Sequence, residues 1–225
     1  MHLIFDFDGT ITPVDTTDRI LTRLAPSAWE TIEREWTDGR IDAARCMREQ
    51  IALLEAGFAE IDAVLDAIPL SHGFVETIAW AEARRLPITI VSDGVDYFIR
   101  RILSRHGLGR LDVVANRLVE GTASRWQLVQ PFGRPGCGSG VCKCMAADAL
   151  AGDETIVFVG DGRSDFCVSG KADLLFATGR LQAHCQAEDI SFVPFVDFTD
   201  VLAALRRIHD LPLRVPTRPP LALGL

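Results

Sequence analysis

Two aspartates, Asp6 and Asp8, stand directly behind the apolar run Leu3-Ile4-Phe5 and ahead of Gly9-Thr10. In extended backbone, residues i and i+2 project to the same side and lie roughly 6–7 Å apart. Two carboxylates at the mouth of a buried strand are costly. At an effective dielectric of about 20, like charges about 4 Å apart repel by roughly 4 kcal/mol. A divalent cation, a lysine, or a proton held by one Asp offsets that, and the rest of the chain carries groups of this kind. Ser92 follows the apolar run 88–91, Lys143 lies near the start of a helical stretch, and Asp161 and Asp165 follow the run 155–159. A carboxylate can accept a phosphoryl group as an aspartyl-phosphate. Such transfers are catalysed largely by positioning and charge stabilisation, so the nucleophile needs cations around it. Asp6, Asp161 and a backbone carbonyl are hard oxygen ligands suited to Mg²⁺. Lys143 supplies a fixed positive charge, while the Ser92 hydroxyl and the neighbouring backbone at Asp93 and Gly94 can hold phosphate oxygens. Asp8 is placed to protonate a leaving alkoxide and then to activate water. Taken alone, an Asp-x-Asp at a strand end reads equally as a turn cap.

The elements that must position these groups follow from periodicity. Short apolar runs at 3–5, 86–91, 155–159 and 172–177 read as buried strands, and 111–119 with 125–129 as a pair about the Glu120-Gly121 turn. Between the first two runs, residues 15–70 show no clear strand. Ile41, Ala44, Met47, Ile51 and Leu54 form one helical stripe, and Ile61, Val64, Leu65 and Ile68 another. Ser71 is the expected N-cap of the next helix. Asp93 is expected to cap the helix carrying Phe98, Ile99 and Ile102. Val201, Leu202, Leu205 and Ile208 belong to a last helix. Strands alternating with helices predict an α/β fold, a doubly wound, Rossmann-like and mostly parallel sheet covered on both faces. In such sheets chemistry sits beyond the carboxyl ends of the strands, where the polar clusters fall. The predicted division is a core of 1–14 and 71–210, a small all-helical cap of 15–70, and a proline-rich arm of 211–225.

The 225 residues are 48% hydrophobic, enough for one substantial core. A formal net charge of −8 argues against a nucleic-acid or anionic-membrane surface. No apolar run reaches the roughly 18–20 residues that span a bilayer. Leu3-Ile4-Phe5 is too short for a signal-peptide core and no basic segment precedes it, so the cytoplasm is the expected location. The expected assembly is a monomer or homodimer.

Asp6-Phe7-Asp8-Gly9-Thr10, Ser92 after its apolar run, Lys143, and Gly160-Asp161-Gly162-Arg163-Ser164-Asp165 resemble, in order and spacing, the four motifs of the haloacid dehalogenase superfamily. The resemblance implies Asp6 as nucleophile, Asp8 as general acid/base, and Ser92 and Lys143 as phosphate binders. It implies Mg²⁺ held by Asp6, the Phe7-Asp8 backbone region and Asp161, with Asp165 near the metal or orienting Lys143. The second Asp, Asp8, is what the superfamily's phosphatases and mutases carry. A small-molecule phosphomonoester is therefore the implied substrate, with phosphotransferase or mutase activity as the alternative. The insert between the first two motifs is similar to the helical cap of phosphoserine phosphatases. Closer still is the similarity to the methionine-salvage 2-hydroxy-3-keto-5-methylthiopentenyl-1-phosphate phosphatases, with phosphocholine and phosphoethanolamine phosphatases in the same branch. Phosphoserine phosphatases place an acidic residue near Asp15 and a cap arginine for the substrate carboxylate. Gln50 best matches that arginine, which counts against phosphoserine, while Arg48 lies two residues away. Trp36, Arg48 and Gln50 read either as leaving-group contacts or as packing.

Of six cysteines, Cys137, Cys142 and Cys144 cluster around Lys143 in a glycine-rich loop. They read as reduced thiols, as a redox-sensitive pair, or as part of a zinc site that lacks an evident fourth ligand. Cys46, Cys167 and Cys185 read as ordinary buried residues.

Overall fold

Parallel strands covered on both faces need apolar side chains at every position, and β1 (His2–Phe5) is buried throughout. In a computed structural model describing residues 1–121, 125–152 and 154–210, β1 lies between β2 (Ile88–Val95) and β5 (Ile156–Gly160). Phe5 is in register with Ile90 on one side and Val159 on the other, both pairings parallel. With β3 (Asp112–Glu120), β4 (Trp126–Val129), β6 (Leu174–Ala177) and β7 (Val193–Pro194), the strands form one seven-stranded sheet. Their order is β4-β3-β2-β1-β5-β6-β7. Among the described residues only the β3–β4 pairing is antiparallel.

The period of two along β1 serves two cores. Leu3 and Phe5 face a cluster containing α5 (Phe74–Ala83), α6 (Asp96–Arg105) and α10 (Phe198–Asp210). There the Phe5 ring packs at 5.8 Å from Phe74 and 5.6 Å from Phe198. Ile4 faces the other side, toward α7 (Lys143–Ala151), α8 (Phe166–Ser169) and α9 (Gly179–Ala187). Both faces are covered, and the expected doubly wound α/β fold is what forms.

Between β1 and α5 the chain makes four helices, α1 (Thr16–Leu24), α2 (Trp29–Thr37), α3 (Ala43–Ile51) and α4 (Phe58–Leu65). Of the predicted stripes, Ile51, Ile61 and Leu65 are buried on α3 and α4, and Leu54 and Ile68 just beyond their ends. Ile41, Ala44, Met47 and Val64 are half-buried, and Cys46 and Gln50 complete the buried face of α3. The insert leans on the sheet edge and on α6. Trp126 donates its indole N–H to the Ala56 carbonyl at 2.8 Å, Phe58 packs between Tyr97 and Trp126, and Arg101 forks onto Asp66.

Two capping expectations fail. Ser71 does not cap α5, whose N-cap is Gly73 in the left-handed region; the Ser71 hydroxyl instead donates to the Thr10 carbonyl at 2.7 Å. Asp93 does not cap α6, because β2 continues through Val95 and that valine is the N-cap. The arm expected at 211–225 lies outside the described residues. Among the described residues no helix is long and apolar enough to cross a membrane.

Candidate active site

The chain leaves β1 for β2 on one side and later returns to β5 on the other, so β1 sits where the strand order reverses. That is the switch point at which open α/β sheets hold ligands. Asp6 follows β1 directly, Ser92 lies within the carboxyl half of β2, and Asp161 follows β5. With Asp8, Asp15, Gln50, Asp93 and Gly94 they line one cavity of about 710 Å³, whose other wall is built by α1, α2 and α3. Lys143 and Asp165 sit behind it, both fully buried.

Lys143 is the first residue of α7, and its Nζ reaches Asp6 Oδ1 at 2.6 Å, Asp165 Oδ1 at 2.5 Å and Ser164 Oγ at 3.0 Å. Burial alone would discharge this ammonium, but Asp165 and Asp6 on either side overcome that and raise its pKa. Asp165 spends its second oxygen on the backbone N–H groups of Asp161 and Gly162, at 3.1 and 2.9 Å. It therefore ties the loop after β5 to Lys143. Asp6 is only 4% exposed, and its Oδ1 also accepts the Phe7 N–H at 2.7 Å. Burial, then Asp165, hold the Asp6 carboxyl well above the usual range, with Lys143 opposing.

Asp8 accepts the Thr16 N–H at 2.8 Å, from the first turn of α1. Burial raises its pKa, with that hydrogen bond and Lys143 pulling the other way. A carboxyl whose pKa is raised suits proton donation. Asp161 is pushed up to about 6 by burial and by Asp165, while its Oδ1 accepts the Thr10 hydroxyl at 2.8 Å. Gly9, at φ +75°, leaves this corner open. A Cβ there would run into the Asp161 carboxylate, so both the backbone sign and the space call for glycine.

The remaining predicted residues have different surroundings. Ser92 is 1% exposed and its Oγ accepts the Gly94 N–H at 2.9 Å, folding the turn over the cavity. Asp93 accepts the Val141 N–H at 2.9 Å and lies beside the Asn116 amide, so it holds the loop entering α7 against β2. Asp15 is the N-cap of α1, accepting from the Asp18 N–H, and stands exposed where it lines the cavity. Gln50 is buried and donates to Glu33 Oε2 at 2.9 Å. Trp36 lines the cavity with the Arg163 guanidinium over its ring, whereas Arg48 turns away to hydrogen-bond Gln130. Sequence reasoning missed Ser164 and Thr10, although both lie inside the quoted motifs. It missed Asn116, Asp18 and Glu33 because nothing in their local spacing marks them.

Residues 3–169 match the model of the family described as haloacid dehalogenase-like hydrolase. The chain belongs to that family. Among known haloacid dehalogenase-like relatives, it is 31% identical over 213 residues to the 2-hydroxy-3-keto-5-methylthiopentenyl-1-phosphate phosphatase of Geobacillus kaustophilus, covering 92% of this chain and 96% of that protein. The phosphatase of the same name from Geobacillus thermodenitrificans is 30% identical at the same coverage. Polyol phosphate phosphatase PYP1 of Saccharomyces cerevisiae is 28% identical over 90% of this chain and 91% of its own. A substrate-bound phosphoserine phosphatase structure shares the fold, with a TM-score of 0.68 over 90% of this chain and 96% of that one at 23% identity. Within the haloacid dehalogenase-like hydrolases this chain is a phosphatase, a phosphoric monoester hydrolase.

Proposed function

We propose that the chain is a Mg²⁺-dependent phosphatase that cleaves a small phosphomonoester through a phosphoryl group carried on Asp6. The observation that carries this reading is the Asp6 carboxylate held at 2.6 Å by the buried Lys143, at the cavity that Asp8 also lines. One oxygen of Asp6 is fixed by Lys143 and the Phe7 N–H; the other makes no hydrogen bond among the described residues and can attack phosphorus. The bond to the leaving oxygen breaks as Asp8 gives that oxygen a proton. Asp8, now a carboxylate, takes a proton from water, whose oxygen attacks the phosphoryl group and frees Asp6. Ser92 and the Gly94 turn would hold the phosphoryl oxygens, with Lys143 offsetting their charge.

The donor set fits a hard divalent ion. Asp6, Asp161 and Asp165 each bring a carboxylate oxygen within 4.8 Å of the others. Asp165 is engaged by Lys143 and loop amides, whereas Asp6 and Asp161 each keep one oxygen outside those bonds. Asp6, Asp161 and the backbone at Asp8 would hold Mg²⁺, which supplies charge neutralisation of the phosphoryl oxygens. We propose that the helices of 15–70 act as the cap that selects the leaving group. Their cavity face offers an apolar wall of Trp36, Ile41 and Met47, compatible with a thioether-bearing group such as the methionine-salvage enol phosphate. Gln50, at the position that matches the cap arginine of phosphoserine phosphatases, lines the same space and bonds Glu33, which counts against phosphoserine.

Phosphate release from a panel of phosphomonoesters tests the assignment. The panel comprises the methionine-salvage enol phosphate, polyol phosphates, phosphoserine, phosphocholine and phosphoethanolamine, each with Mg²⁺ and with EDTA. The expected result is one substrate at a kcat/KM of about 10⁴ M⁻¹s⁻¹ or more, lost in EDTA. Turnover unaffected by EDTA sinks the metal, and absence of turnover across the panel sinks the substrate class.

Asp8→Asn gives a second check, because general acid catalysis counts most for poor leaving groups. With an alkyl phosphate kcat should fall by about 10³-fold. With p-nitrophenyl phosphate, whose leaving group needs no proton, release of the first equivalent of nitrophenol should be slowed far less. Equal losses in both would remove Asp8 from the acid role.

A further inference from the structure

Three thiols surround the loop that delivers Lys143, and two of them flank it in sequence. Cys142 is the N-cap of α7 and only 1% exposed; Cys144 lies in the first turn and is half-buried. Their Sγ atoms are 3.3 Å apart and share a hydrogen bond in which either sulfur can be the donor. Cys137 lines the active-site cavity, and Cys167, expected in the core, is instead exposed. We propose that Cys142 and Cys144 are an oxidisable dithiol whose closure to a disulfide by a peroxide switches the phosphatase off by displacing Lys143. The inhibitory half of this inference rests on the catalytic role proposed above for Lys143.

The geometry favours closure. A disulfide needs its sulfurs at about 2.05 Å, so the pair must close by more than 1 Å. The residue between them is the one whose Nζ spans Asp6 and Asp165. A shift of about 1 Å in such a positioned group is enough to cost on the order of 10²-fold in rate. The site also favours a thiolate. Burial opposes charge on Cys142, but the Met145 N–H of the helix N-terminus, the Cys144 and Cys137 thiols and Arg134 together bring its pKa below the ordinary value.

The chemistry balances with one peroxide. Cys142 releases its proton to solvent, and its thiolate attacks a peroxide oxygen. The O–O bond breaks, and the departing hydroxide takes the Cys144 proton across the shared contact to leave as water. The Cys144 thiolate then attacks the Cys142 sulfenic sulfur. The S–S bond forms, the hydroxide leaves and takes back one proton from solvent as a second water, and the two thiols have lost two electrons to hydrogen peroxide.

Trypsin cleaves after Lys143 and so separates the two cysteines of the reduced protein, whereas the oxidised pair stays joined. The full chain, reduced and then treated with hydrogen peroxide, should lose two thiols, yield the joined peptides, and lose activity by about 50-fold or more. Dithiothreitol should restore it. Cys137→Ser should still give the joined peptide, and Cys144→Ser, active when reduced, should give none. No joined peptide after peroxide, a link that depends on Cys137 or Cys167, or a joined protein of undiminished activity overturns the proposal. A reduced protein without phosphatase activity sinks the functional reading instead, and the joined peptide still reports whether the dithiol exists.

Discussion

Asp6→Asn is expected to lower kcat by about 10⁵-fold or more, the scale on which loss of a covalent nucleophile acts. The amide has the size of the carboxylate and still offers an oxygen to the Phe7 N–H and to Lys143, so its contacts survive the change. What it loses is the charge and the oxygen that would carry the phosphoryl group. Stability should hold or rise slightly, since burial and Asp165 already disfavour the Asp6 carboxylate. The measurement is Mg²⁺-dependent phosphate release beside a thermal melt. A variant that melts like the parent and retains a hundredth of its activity would refute the nucleophile assignment.

Lys143→Met should damage both activity and stability. The ammonium is completely buried between Asp6 and Asp165, and removing one partner of such a cluster leaves uncompensated charge. The expected cost is about 3–5 kcal/mol of folding free energy, the range seen when a buried pair is broken from one side. Activity should fall by at least about 10³-fold, because nothing then offsets the phosphoryl charge. The pH dependence has a definite sign. Asp6 is held above its unfolded pKa, so its burial is free of penalty at low pH and grows costly as pH rises through the carboxylate range. Without Lys143 that penalty enlarges, so the deficit against the parent should shrink as pH falls toward about 4. Denaturant midpoints at pH 4.5 and 7.5 read this directly. The double variant Lys143→Met with Asp165→Asn should recover part of the stability and none of the activity. A deficit independent of pH would show that lost packing, not charge, is responsible.

Much of the fold was legible because local chemistry dictates it. Residues 3–5, 156–159 and 174–177 are apolar on both faces of a strand, and 88–91 are so but for the buried Thr89, so only a sheet covered on two sides can bury them. The helical insert was legible from its stripes. Asp6, Asp8 and Asp161 could be named because each follows the end of a strand, and Ser92 and Lys143 because the one follows an apolar run and the other opens a helix. The capping of α5 and α6 was misread. Ser71 and Asp93 are residue types that cap helices, and what diverted them were partners 61 and 48 residues away, Thr10 and Val141.

By itself, then, the sequence determined which residues sit at strand ends and which chemistry their types allow, since strand and helix periods act over a few neighbours. Only the tertiary structure decided which of those ends meet, because strand order places β1 between β2 and β5, 86 and 154 residues further on by the start of each strand. It alone decided that both oxygens of Asp165 are engaged by Lys143 and the loop after β5, that Gln50 answers to Glu33, and that Cys142 and Cys144 bring their sulfurs together beside Lys143. Each is a hydrogen bond or ion pair whose geometry depends on backbone placed by the packed sheet, and no spacing in the chain encodes it.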